Sequence, residues 1–252
     1  MMQNRGIEFA SLTDLGCQRE NNEDSYGHWQ PKSDEEFARK GCLAVIADGM
    51  GGYEGGQEAS RIAVETVRKI YSQPSASDPQ SLLSDAFIEA HARILQFASE
   101  NQALQGMGTT CTAIAVVGKS LYYAHIGDSR LYLVRNGAIS RLTRDHSYVS
   151  RLVEGGLITP EEAETHAHRH ILTAALGAGD EIIPDIPATP IALQDGDILV
   201  LCSDGLWGQV SDSEITAAVT NHTADGACRQ LVQLARERGG PDNITVEILK
   251  LP

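Results

Sequence analysis

A chain of 252 residues, 42% hydrophobic and 21% charged, is long enough to bury a full core without disulfide or metal staples. Its formal net charge of −14, from 34 acidic against 20 basic residues, argues against nucleic acid or an anionic membrane as partner, since both select positive surfaces. No run of ~18 apolar residues marks a membrane span, and no apolar stretch behind Met1 marks a signal peptide, so a cytoplasmic protein is expected.

Along the chain, an apolar strand-like run at 41–47 comes first, followed by a helix over about 57–71 with Ala59, Ile62, Ala63, Thr66, Val67 and Ile70 at helical spacing. The Pro/Ser-rich stretch 72–79 reads as a surface loop. A second helix over about 81–100 puts Leu83, Ala86, Phe87, Ala90, Ile94 and Phe97 on one stripe. Strand-like runs follow at 109–117, 121–126, 130–135, 138–142, 197–202 and 244–249, and a late helix at about 224–238. Asn136-Gly137 is a strong hairpin signal, and short strands joined by tight turns favour antiparallel sheets. The expected class is layered α/β. The polar, Gly-broken segment 143–190, with a short helix at 147–154, is expected to be a flap inserted between hairpin strands.

Cys17, Cys42, Cys111, Cys202 and Cys228 are odd in number and form no Cys-x-x-Cys pair, which fits a reducing compartment and not a zinc cluster. Of four Asp-Gly pairs, Asp195-Gly196 reads as a hairpin turn and Asp225-Gly226 as a possible helix cap. Asp48 and Asp204 differ, because each ends a buried apolar run. Asp128 follows another such run and Asp242 precedes one. Strand-edge aspartates with no Cys or His beside them make a hard, all-oxygen site suited to Mg²⁺ or Mn²⁺. Near the N-terminus, Arg19, Glu20, Glu23 and Asp24 share one loop, and an Arg fork matches phosphate oxygens.

Five motifs occur in order: Arg19-x-x-Asn22-Glu23-Asp24, Ala47-Asp48-Gly49-Met50-Gly51-Gly52, Gly127-Asp128-Ser129-Arg130, Ser203-Asp204-Gly205-Leu206-Trp207 and Asp242-Asn243-Ile244-Thr245-Val246. Together they resemble the bacterial branch of the metal-dependent protein phosphatases (PPM, type 2C), over about residues 7–249. The resemblance implies an α-β-β-α sandwich: two central antiparallel sheets flanked by helices, forming one domain over 7–252 behind a tail at 1–6. It implies two Mn²⁺ or Mg²⁺ ions, with a weaker third. Asp48 would bridge two ions, the Gly49 carbonyl would bind one, Asp204 and Asp242 the other, and Asp128 with Asp204 the third. Glu23 and Asp24 would act through metal-bound water, Asn243 would support the site from behind, and Arg19 would hold the substrate phosphate.

Hydrolysis of phosphoserine or phosphothreonine in proteins, opposing a bacterial Ser/Thr kinase, is the implied activity, carried out by a monomer. A partner-switch phosphatase for one regulatory phosphoprotein and a non-catalytic binding module are the competing readings. Two departures from the family pattern stand out. Met50 replaces the His that animal members carry as a proposed acid. In the flap, His166-Ala167-His168-Arg169-His170 stands where relatives often read His-Pro-x-Arg-Asn; a solvated flap that touches substrate is the expectation, not a metal site. Gly118-Lys119-Ser120 lacks the first Gly of a phosphate-binding loop and is dismissed as one.

Overall fold

The computed structural model describes residues 6–51, 55–73 and 78–252. Most of the expected tail 1–6, Gly52 of the second motif and the middle of the 72–79 loop lie outside the described residues.

In chain order the elements are β1 (Glu8–Asp14), β2 (Asp24–Trp29), α1 (Asp34–Lys40), β3 (Cys42–Met50), α2 (Gly55–Ser72), α3 (Pro79–Glu100), β4 (Gly108–Thr109) and β5 (Cys111–Val117). β6 (Ser120–Ile126), β7 (Arg130–Arg135), β8 (Ala138–Arg141), α4 (Tyr148–Glu154), α5 (Pro160–Glu164), β9 (Ile191–Ala192) and β10 (Ile198–Cys202) follow. The chain closes with α6 (Asp204–Trp207), α7 (Asp212–Asn221), α8 (Ala224–Glu237) and β11 (Ile244–Lys250).

Two antiparallel sheets face each other. One runs β1-β11-β10-β7-β8, and the other β2-β3-β5-β6-β9 with β4 paired to the end of β3. β3 shows why central strands here read as unbroken apolar runs: both of its faces are covered. Ala44 and Ile46 point between the sheets, against Ile114, Leu131, Leu199 and Leu201. Val45 and Ala47 point outward under α2 and α3, against Ala59, Val67, Phe87 and Ile94. On the far side, Tyr132, Val200, Val246 and Ile248 lie beneath α7 and α8, meeting Ile215 and Leu231. Each fully buried Leu, Ile or Phe contributes about 1.5–3 kcal/mol.

Local chemistry sets the element ends. Asp78 caps α3 by accepting from the Ser81 amide at 3.1 Å, with Pro79 in the first turn, so this helix starts two residues before the expected one. Asn136 and Gly137 both take positive φ (51° and 76°), and Arg135 pairs with Ala138, the geometry of a two-residue type I′ hairpin. Gly118-Lys119 turns β5 into β6, so that segment is a hairpin and no phosphate loop.

Several expectations need correction. Strand β3 does not stop at Ala47 but carries Asp48, Gly49 and Met50, because β4 extends its pairing. The run expected at 109–117 breaks at Thr110, between β4 and β5. Asp195-Gly196 is a turn but no hairpin: it passes the chain from β9 in one sheet to β10 in the other. Helix α8 is capped by Thr223, whose hydroxyl accepts from the Gly226 amide, while Asp225 pairs with Arg229 one turn on. The flap likewise links β8 to β9, hence sheet to sheet, and does not interrupt a hairpin.

Candidate active site

Antiparallel registers bring the acidic motifs to one edge of the sandwich. Asp24 at the start of β2 lies directly opposite Asp48 near the end of β3. In the other sheet Arg130 pairs with Cys202 and Cys202 with Val246. Asp128, two residues before Arg130, and Asp204, two after Cys202, therefore emerge together, with Asp242 just ahead of β11. Asp204 does not end a strand: it is the first residue of the short helix α6.

Hydrogen bonds fix the framework. The Asp48 amide donates to Thr110 Oγ1 (2.9 Å) while its carbonyl accepts from the Thr110 amide (2.9 Å) and Thr109 Oγ1 (2.8 Å). Asp24 Oδ2 receives Ser203 Oγ at 2.9 Å and Thr245 Oγ1 at 2.6 Å, so a carboxylate of one sheet is held by hydroxyls of the other. Asn243 stitches the two loops: its Oδ1 accepts from the Glu23 amide (2.8 Å) and its Nδ2 donates to the carbonyls of Leu15 and Asn21 (3.0 Å each). Gly49 has no room for a side chain, since a Cβ there would lie 2.1 Å from the Gly56 carbonyl oxygen.

The electrostatics show a site short of positive charge. Burial, and then Asp24, Asp204, Asp128 and Asp242, push the Asp48 carboxyl well above the ordinary carboxylate range. Asp128 is raised by burial and then by Asp204 and Asp145. Asp204 rises by burial and Asp242, partly offset by His170. Burial lifts Asp24 to about 7 despite its two hydroxyl donors, with Asp204 and Asp242 adding to the rise.

Among the described residues no three His, Cys, Asp or Glu side chains converge as a ready ligand set. Two of the carboxylates turn instead to a basic partner at hand. Arg19 Nη2 bonds Asp242 Oδ2 at 2.7 Å, and His170 Nδ1 of the flap approaches Asp204 Oδ2 to 3.9 Å. Yet Asp24 Oδ1 and Asp204 Oδ1 are buried with no hydrogen-bond partner, which is costly unless something positive meets them. Unsatisfied oxygens, mutually repelling carboxylates and an all-oxygen donor set fit hard divalent cations.

All of the expected residues (Arg19, Glu23, Asp24, Asp48, Gly49, Asp128, Asp204, Asp242 and Asn243) lie at this edge. Met50 packs elsewhere: a Cβ at Gly108 would meet its Cε at 2.8 Å. Of the flap histidines only His170 reaches the cluster; the rings of His166 and His168 gather around Tyr148. Thr110, Ser203, Thr245 and Trp207 support this edge without an expectation from the sequence. Ser203, Trp207 and Thr245 do sit inside the ordered motifs, but their bonds to Asp24 and to the Asp128 carbonyl join distant segments and leave no local signal.

The protein phosphatase 2C family profile matches residues 18–239. Protein phosphatase PhpP of Streptococcus pneumoniae is 36% identical over 249 residues, 97% of this chain and 98% of that protein. Among solved structures, the Streptococcus agalactiae serine/threonine phosphatase superposes with a TM-score of 0.89 at 34% identity, covering 98% of this chain and all of that one. The catalytic domain of the protein phosphatase PstP, solved with two manganese ions, gives 0.84 at 35% identity, covering 97% and 98%. On sequence, sandwich and acidic edge alike, the chain belongs to the protein phosphatase 2C family of serine/threonine protein phosphatases.

Proposed function

We propose that this chain hydrolyses phosphoserine and phosphothreonine in proteins at the acidic edge, using Mn²⁺ or Mg²⁺, and that its targets include a Ser/Thr kinase and that kinase's substrates. The observation that carries the reading is the meeting of carboxylates from both sheets around the unpartnered buried oxygens of Asp24 and Asp204. Asp48, the Gly49 carbonyl, Asp204 and Asp242 would hold two cations, Asp128 with Asp204 a third, and residues 7–252 would work as one catalytic domain. When bound, such cations acidify water for attack and neutralise the phosphoryl oxygens.

The chain's own residues do the rest. Arg19, with half of its side chain exposed, hangs at the rim on Asp242 and is free to turn its fork to an incoming phosphate. Glu23 and Asp24 line the floor, where they can accept protons from water, and Asn243 keeps their loop against Asp242. Met50 has no proton to give, so it supplies no acid for the leaving serine or threonine oxygen.

The direct test is hydrolysis of a phosphothreonine peptide before and after EDTA treatment. Activity is expected to vanish with EDTA and return with Mn²⁺; full activity in EDTA would refute the reading. Arg19→Ala is expected to lower kcat/KM by about 10–100-fold, since a hydrogen bond to a charged group is worth about 1.5–3 kcal/mol. The loss should appear largely in KM if Arg19 binds the ground state, while Mn²⁺ affinity stays within a few-fold.

A further inference from the structure

Behind the acidic edge lies an aromatic-cation unit that none of the roles above uses. Trp207 closes α6, the helix that opens with Asp204. Its indole N–H donates to the Asp128 carbonyl at 3.0 Å. The Arg130 guanidinium lies over the indole ring at 3.5 Å and grips Asp145 with two bonds, 3.1 and 2.7 Å, while its third nitrogen donates to the Tyr132 hydroxyl at 3.1 Å. Asp145 is 8% exposed and stands at the base of the flap, where the next residue, His146, donates its amide to the Gly127 carbonyl at 2.7 Å. On its other side the Asp128 loop is tied through Ser129 Oγ to Thr110 Oγ1 (2.8 Å), which holds Asp48.

We propose that Trp207 and Arg130 are positioning residues that lock Asp128 and Asp204 at a fixed separation, so that these two carboxylates present a preformed site to a divalent cation. The register alone brings both to one edge, but each sits beyond the end of its strand, where the ladder no longer constrains it. The indole bond closes that gap by fastening the Asp128 backbone to the helix that carries Asp204. Arg130 cannot be replaced by a simple charge, because one planar group must stack on Trp207 and fork onto Asp145 together. Supporting partners of metal ligands commonly affect affinity by 10–100-fold.

The inference rests on Asp128 and Asp204 being ligands, and the test separates the two claims. Mn²⁺ binding to the cation-free, full-length protein is measured by isothermal titration calorimetry, alongside thermal unfolding in EDTA. Trp207→Phe keeps a ring for Arg130 to stack on but removes the N–H, and Asp128→Asn is the control. The expected result is a weakest Mn²⁺ phase loosened by about 10-fold in Trp207→Phe, tighter phases within two-fold, and an unfolding midpoint within a few degrees of wild type. Arg130→Lys is expected to loosen the same phase.

Wild-type binding in Trp207→Phe, with Asp128→Asn impaired, would overturn the positioning role while leaving the ligands in place. Wild-type binding in both would overturn the ligand assignment itself. Uniform loss of every phase together with a large fall in the midpoint would make Trp207 a folding residue and end the proposal.

Discussion

Asp48→Asn is expected to lower turnover of a phosphothreonine peptide by about 10³-fold or more and, in EDTA, to make the protein more stable than wild type. Asp48 faces four other aspartates in a buried setting, and each raises its pKa. In the absence of cations, folding must either keep that carboxyl protonated or crowd like charges together, and both cost free energy at neutral pH. An amide of the same shape escapes that cost, worth about 1–2 kcal/mol, or roughly 2–8 °C in a chain of this length. The gain should widen as pH rises above the ordinary carboxylate range, because a raised carboxyl pKa withdraws stability in that direction. With cations present the order is expected to reverse, since an amide would hold them less well than the carboxylate proposed as their ligand. Thermal unfolding with and without Mn²⁺, run beside a single-turnover assay, checks both halves. A variant less stable in EDTA and only a few-fold slower would contradict the account.

Glu247→Gln is expected to flatten the pH dependence of stability. Glu247 sits in β11 opposite Ser11 and Leu201, on the face that packs between the sheets, with 0% exposure. Neither carboxyl oxygen has a hydrogen-bond partner of good geometry, and burial drives the pKa well above normal, against weaker opposing influences from the Val45 backbone and Arg68. The folded chain therefore keeps the proton that the unfolded chain loses above about pH 4.5. Stability is complete below that pH and falls as pH rises toward the folded pKa, at about 1.4 kcal/mol per unit. Relative to wild type, Glu247→Gln should gain stability steadily as pH rises above the ordinary carboxylate range, at up to about 1.4 kcal/mol per unit while the folded carboxyl keeps its proton, measured by urea unfolding in EDTA. Comparing variant with wild type cancels the titration of the acidic edge. Parallel curves would show that Glu247 is ionised in the native protein.

The helices α2, α3 and α8 and the central strands were legible because their patterns are strong: a one-sided apolar stripe or a run buried on both faces. The strands β1 and β2 were not. Their residues are mostly half-buried and polar, as in Asp24-Ser25-Tyr26-Gly27-His28-Trp29, and Gly27 is there for packing, since a Cβ would meet Arg68 Cδ at 2.6 Å. Helix α7 shows no strong apolar stripe, although Ser211 and Glu214 offer a capping signal, the Glu214 carboxylate accepting from the Ser211 amide at 3.0 Å. At the site, the aspartates announced themselves through ordered motifs. The hydroxyls of Ser203 and Thr245 and the indole of Trp207 did not, because their partners stand 40 or more residues away in the chain, across sheet or loop.

Asp24 of one sheet is gripped by Ser203 and Thr245 of the other, and the remaining carboxylates are divided in the same way. Cations held as proposed would bind only while the two sheets are docked, acting as a clasp across the sandwich. At 100 times its dissociation constant an ion binding only the closed form adds about 2.7 kcal/mol, making the parted form roughly 100-fold rarer. Proteases act on parted forms. Cation supply would then govern how long each molecule survives as well as how fast it works.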